Sequence, residues 1–216
     1  MKVNLISYSQ SGTFDSLQES IAYCARVSNP SNQISSATSE KLLGYLIKHG
    51  HWSPFEMASI CLEIDTTRDI ARQILRHRSF SFQEFSQRYA DPTIDLAFET
   101  REARLQDKKN RQNSIETDNI QLQETWKQKQ LTIIEQAQKV YRWAIENNIA
   151  KEQARTLLPE GLIQSRLYMN GTVRSWMHYI KLRSTFGTQK EHVEIAKECG
   201  KVIEPIFPLI KDFIND

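Results

Sequence analysis

Cysteine is scarce in this 216-residue chain: Cys24, Cys61 and Cys199 are its three, far apart and in no C-x-x-C pairing. An odd, dispersed set excludes a disulfide framework and a cysteine-built zinc site, so the thiols are expected to be reduced and buried, and no metal is expected. Long apolar runs are missing too. Nothing approaches the roughly 18 consecutive apolar residues of a membrane span, and the opening stretch to Ile6 is too short for a secretory leader. A soluble, cytoplasmic protein without a membrane partner is the expectation. An excess of either charge is also absent: 28 Lys and Arg stand against 26 Asp and Glu, a formal net charge of +2. That balance disfavours a protein that coats nucleic acid, and any functional charge must therefore be local. With 7 Gly and 6 Pro, 39% hydrophobic and 25% charged residues, the composition is that of an ordered globular chain. Its length supports one domain over residues 1–216.

The chain alternates strand-like and helix-like stretches. Val3 to Tyr8 reads as a short strand, followed by a helix that Asp15 or Ser16 caps and Ser28-Asn29-Pro30 stops. A second helix runs from about Ser39 to near Gly50, and the apolar run Phe55 to Ile64 reads as a core strand carrying Glu56 near its start. Thr66-Thr67-Arg68-Asp69 opens a helix in which Arg68, Arg72 and Arg76 recur at i, i+4 and i+8. Residues 79–89 alternate with period two and are expected to be extended, which would aim Glu84, Ser86 and Arg88 to one side. Residues 91–117 lack apolar periodicity and are expected to form a mobile loop or insertion. A long helix follows from about Asp118 to Asn148, then a short helix ended by Pro159, and a strand from Leu162 to Met169. Asn170-Gly171-Thr172 reads as a turn with a helix cap before Val173 to Arg183. A last helix runs from about Gln189 to the C-terminus, broken at Pro205 and Pro208.

The densest chemistry lies in Arg76-His77-Arg78 and the Ser86 to Arg88 stretch behind it. A basic triplet at a helix end is ordinarily a solvated cap. Here Phe80, Phe82 and Phe85 demand burial nearby, which sets the cations at the wall of a cleft, where guanidinium groups suit phosphate recognition. His51, Glu56, Arg155, Arg174, His178 and Arg183 have bland local readings as loop or helix-surface residues.

In combination these blocks carry a resemblance. His51-Trp52-Ser53-Pro54-Phe55-Glu56, then Arg76-His77-Arg78 with seven intervening residues and Ser86, then Asn170 to His178 and Leu182-Arg183, with Ala25-Arg26-Val27-Ser28 near the start, resemble flavin-dependent thymidylate synthase over nearly the whole chain. The resemblance implies an α+β fold, a central, mostly antiparallel sheet flanked by long helices. It also implies reductive methylation of dUMP to dTMP: 5,10-methylenetetrahydrofolate gives the carbon, and NADPH gives hydride through bound FAD. Ser28, Ser53, Glu56, Arg76, His77, Arg78, Glu84, Thr172, Arg174, His178 and Gln189 are implied at the flavin. Gln73, Arg76, Glu84, Ser86, Gln87, Arg88, Arg155 and Arg183 are implied at the nucleotide, with sites shared across a homotetramer. Arg183 is the implied catalytic cation, stabilising negative charge on the pyrimidine, and His51 is implied between flavin and folate. No cysteine sits in the Pro-Cys-His setting of the unrelated folate-dependent synthases, so enzyme-bound covalent catalysis is not expected, and Ser86 is assigned to nucleotide positioning.

The chain departs from the commoner family pattern at Gln83, where asparagine is frequent, at Met57, where histidine is frequent, and at Gln87, which replaces a small residue at a backbone-contact position. Two alternatives stand beside the main reading. One is a flavin-dependent pyrimidine hydroxymethylase; the other is a single-stranded nucleic-acid binding module that stacks bases on Phe80, Phe82 and Phe85, which the near-neutral charge disfavours.

Overall fold

Side-chain caps and two-residue alternation set most of the element boundaries. The computed structural model describes residues 1–214. In chain order it contains β1 (Lys2–Tyr8), α1 (Leu17–Ala25), α2 (Ser39–Lys48), β2 (Ser59–Thr67), α3 (Arg68–Ile74), β3 (Ser81–Glu84), α4 (Pro92–Asp95), β4 (Arg104–Gln106), β5 (Ser114–Glu116), α5 (Ile120–Glu146), α6 (Lys151–Ala154), β6 (Gln164–Thr172), α7 (Val173–Arg183) and α8 (Lys190–Ile203). Short 3-10 segments include Ser53–Glu56 and Pro208–Phe213. The architecture is the expected α+β, with a four-stranded sheet ordered β1-β2-β6-β3 and a separate antiparallel ribbon, β4-β5, that pairs Leu105 with Ile115. Ser16 accepts from the Glu19 N–H at 3.2 Å, Asn119 from Leu122 at 3.0 Å and Thr172 from Ser175 at 3.2 Å, capping α1, α5 and α7. Each such cap contributes about 1 kcal/mol. Among the described residues no helix is long and apolar enough to cross a membrane.

The chain divides into two compact units, one made of Met1, Asp65–Arg76 and Gln83–Leu167, the other of Lys2–Ile64, His77–Phe82 and the chain from Tyr168 on. In the first, α5 buries Ile134, Ala137, Tyr141 and Ala144, and Tyr141 and Ala144 join Ala154, Leu158 and Ile163 in one apolar cluster. Gln130 is buried there as well. It is satisfied by the Arg101 backbone, accepting its N–H and donating to its carbonyl, both at 2.8 Å, so a polar residue sits inside a helix face at little cost.

In the second unit β2 alternates as a half-buried strand should, with Ile60, Leu62 and Ile64 fully buried. α7 buries Trp176, whose indole N–H donates to the Ile60 carbonyl at 3.0 Å; left unmet, such a donor would cost about 1–3 kcal/mol. α8 buries His192, Ile195, Ala196, Cys199 and Ile203, a helical stripe.

Several local expectations are corrected. Phe55 to Ile64 is not one strand: Pro54 starts the 3-10 segment Ser53–Glu56, and pairing begins only at Ser59, whose carbonyl accepts from the Ser9 N–H at 2.9 Å. The extended segment stops at Glu84, because the Ser86 carbonyl accepts from Tyr89 and Ala90 N–H at 3.0 and 3.1 Å and closes a turn. Glu84, Ser86 and Arg88 are therefore not aligned along one strand. Arg76 lies beyond the end of α3, so the i, i+4, i+8 row is cut to Arg68 and Arg72. Residues 91–117 carry α4 and the β4-β5 ribbon, whose turn Asp107 ties by accepting from the N–H groups of Lys109 and Asn110 and from the Asn113 side chain. Gly171 sits within β6 and not in a turn. A Cβ there would lie 2.4 Å from Cδ1 of Phe80, so the position demands the smallest residue for space. The last helix ends at Ile203, and its expected continuation through Asn215 and Asp216 lies outside the described residues.

Candidate functional site

In the first unit, chemistry gathers around Glu84 at the end of β3. Its carboxylate accepts from Ser165 of β6 at 2.9 Å and from Arg72 at 3.1 Å, with Arg68 at 3.6 Å. Arg72 also donates to Glu160 at 3.2 Å. Burial holds the Arg68 pKa below its ordinary value against the pull of Glu84; Arg72 and Arg155 push the same way as burial. Arg68 and Arg72 thus face Glu84 and Glu160, and Arg155 lies near enough for its charge to act on Arg68, so the cluster holds one more cation than carboxylates. Of the residues expected at the nucleotide, Glu84 and Arg155 belong to this cluster. Gln87 is buried with its Nε2 amide unpartnered, Ser86 holds the adjoining turn, and Arg88 pairs with Glu152 at 3.1 Å on the surface. Gln73 is half-buried, and Arg76 is exposed without an ion pair among the described residues. Arg68, Arg72, Glu160 and Ser165 were not singled out as site residues from sequence. The i, i+4 arginines were visible there, but their acidic partners are remote in the chain.

In the second unit the central contact joins Arg183, at the end of α7, to His77. The Arg183 Nε–H donates to His77 Nε2 at 2.9 Å. Burial, with the Arg183 charge second, pushes the His77 pKa down to about 4, so the imidazole is neutral near pH 7. The His77 ring stands perpendicular to Tyr179, centroids 4.9 Å apart, and the Tyr179 hydroxyl hydrogen-bonds to His192 Nε2 at 3.1 Å. His192 is fully buried and pushed to about 3 by burial first, then by Arg183 and His77. Arg183 has no carboxylate partner among the described residues.

Elsewhere in this unit Arg174 forms an ion pair with Glu56, half-exposed on both sides. His178 meets the Trp52 ring edge-on at 4.6 Å, and burial, then Arg174 and Lys181, lower its pKa. Thr172 spends its hydroxyl on the α7 cap, while Ser175 donates to the Ser79 carbonyl at 3.1 Å. Arg78, Ser53, His51 and Ser28 are exposed, and Gln189, at the start of α8, donates to Glu191 at 2.9 Å. The structure thus brings together His77 with Arg183, and Glu56 with Arg174. Tyr179 and His192 were missed, although His192 falls on the same helical stripe as Ile195, Ala196 and Cys199. Among the described residues no group of three or more His, Cys, Asp or Glu is arranged to hold a metal ion.

An α+β fold carrying guanidinium-rich donor sets defines a protein equipped for anionic ligands. The family profile described as "Thymidylate synthase complementing protein" matches residues 5–209. The chain is 49% identical over 193 residues to a "Probable flavin-dependent thymidylate synthase" of Paramecium bursaria Chlorella virus 1, covering 89% of this chain and 88% of that one. It is 50% identical over 190 residues to a "Flavin-dependent thymidylate synthase" of Synechocystis sp., covering 88% and 86%. A solved structure of the UMP/dUMP methylase PolB from Streptomyces cacaoi, bound with 5-Br dUMP, shares the fold with a TM-score of 0.78 over 98% of this chain and 93% of that one, at 24% identity. The chain belongs to the flavin-dependent thymidylate synthase family.

Proposed function

We propose that this chain converts dUMP to dTMP by reductive methylation, with 5,10-methylenetetrahydrofolate as carbon donor and NADPH as reductant. The observation that carries the reading is Arg183, a half-buried cation with no carboxylate to neutralise it among the described residues. Carbon 5 of uracil is a poor nucleophile, and a guanidinium facing N3 and its neighbouring carbonyl lowers the cost of negative charge on the ring. A full, uncompensated charge is what that task requires. The Glu84 cluster, with Arg68, Arg72 and Arg155, supplies cations for a nucleotide phosphate and a carboxylate for hydroxyl groups.

The donor set of the second unit fits FAD. Among the described residues Arg78 is an exposed cation without an ion pair and the Ser53 hydroxyl has no partner, while Arg174, Trp52 and His178 add a further cation and ring surface. When bound, FAD would supply hydride transfer from NADPH. His51, exposed beside Trp52, is assigned to the folate side. A cysteine nucleophile plays no part in this reading: none of Cys24, Cys61 and Cys199 sits in a Pro-Cys-His setting, and burial raises the thiol pKa of Cys61 and raises that of Cys199 strongly, away from the thiolate. Residues 1–216 are taken as a single catalytic domain, assembled as a cytoplasmic homotetramer with shared sites and binding no nucleic acid.

The test is turnover by purified protein reconstituted with FAD. Loss of the uracil 5-hydrogen should require both NADPH and methylenetetrahydrofolate, and Arg183→Ala should nearly abolish it while the flavin absorbance remains. Protein that takes up no FAD, or Arg183→Ala at full activity, would overturn the assignment.

A further inference from the structure

An arginine that must stabilise an anion faces a positioning problem. A carboxylate would hold the guanidinium firmly but would cancel much of the charge it is there to provide. A neutral acceptor holds it without that loss. His77 has this character: its Nε2 accepts from the Arg183 Nε–H at 2.9 Å, which requires the proton of the neutral ring to sit on Nδ1. Bonding at Nε ties down the inner edge of the guanidinium and leaves its two terminal nitrogens for a ligand.

The imidazole is itself held. Its ring stands at 89° to Tyr179, and Tyr179 is fixed by its hydrogen bond to fully buried His192. Phe80 and Trp176 pack edge-on against the same tyrosine, with centroids 5.9 Å away in each case. Burial keeps His77 neutral, and the nearby Arg183 charge opposes its protonation.

We propose that His77 is the positioning residue of Arg183, a neutral acceptor that fixes the guanidinium for the nucleotide base while leaving its charge uncompensated. This rests on the assignment of Arg183 to the pyrimidine. It gives the His77 side chain a task separate from any contact its segment makes with flavin.

The experiment combines ring spectroscopy with two substitutions. In nitrogen-15 NMR of wild-type enzyme at pH 7, His77 should be a neutral ring protonated on Nδ1. A ring protonated on Nε2, or cationic, would overturn the proposal without any activity being measured. His77→Phe keeps a ring but removes the acceptor, and should lower kcat for dUMP by about 10- to 100-fold with a smaller change in KM. His77→Gln, whose carboxamide oxygen can accept from Nε–H, should recover most of that loss. Equal activity of His77→Phe and wild type would refute the positioning role, as would His77→Gln being no better than His77→Phe. If His77→Phe fails to fold or to bind flavin, the ring tautomer and His77→Gln at near wild-type kcat still decide the matter. Wild-type protein inactive on dUMP would instead remove the functional reading, an outcome distinct from active wild type that is indifferent to His77.

Discussion

Replacing His192 by glutamine should make the protein less sensitive to acid, even if it lowers stability at neutral pH. His192 is fully buried in α8 and bonded to the Tyr179 hydroxyl, and the Arg183 charge and His77 act on it. Its pKa falls from an ordinary 6.5 to about 3 in the folded chain. Because the folded value is depressed, the unfolded chain binds the extra proton first, so stability is complete above the unfolded pKa and declines as pH falls from about 6.5 towards 3. Between pH 7 and pH 5 the unfolded state gains about 2 kcal/mol from protonating this one residue, while the folded state gains almost nothing. Urea unfolding at both pH values and at one protein concentration measures the loss directly. Wild type should lose about 2 kcal/mol more than His192→Gln over that interval. Parallel losses would mean that His192 is hydrated or already charged in the native state, and would refute the buried, neutral imidazole beside Tyr179.

Two further substitutions test packing and ion pairing. Gly171→Ala should destabilise by about 1–3 kcal/mol in urea melts, because the new methyl meets the Phe80 ring at 2.4 Å, and Phe80→Leu should restore part of the loss. Arg101→Ala should cost about 3 kcal/mol by thermal or urea unfolding, since its fork holds both Asp69 oxygens, at 2.9 and 2.7 Å, together with Thr67.

Helices were legible wherever a cap and an apolar stripe coincided. Ser16 and Thr172 both mark true starts, and Ile134, Ala137, Tyr141 and Ala144 carry the long helix. Strand ends were not legible, because apolar sequence continues where pairing stops. Phe55 and Met57 read as strand but belong to a proline-started 3-10 segment and its C-cap, and the aromatic alternation after Ser79 hides the turn that the Ser86 carbonyl closes. Gly171 suggests a turn by type, yet is required by the proximity of Phe80, a contact between residues 91 positions apart. The same distance problem separated candidate residues from their partners. Arg183 and Glu84 were visible through motif resemblance, whereas His77 as the acceptor of Arg183 and Ser165 as the donor to Glu84 depend on pairings across 106 and 81 residues. His192 had a weak signal in its place on an apolar stripe; its hydroxyl partner gives that place meaning.

The most direct measurement is the mass of the nucleotide made from dUMP by FAD-loaded protein supplied with methylenetetrahydrofolate and NADPH, run beside Arg183→Ala. Wild type should yield dTMP and Arg183→Ala almost none, with equal flavin in both. Unchanged dUMP from wild type, a hydroxymethyl product in place of dTMP, or dTMP from Arg183→Ala at the wild-type rate would contradict the account.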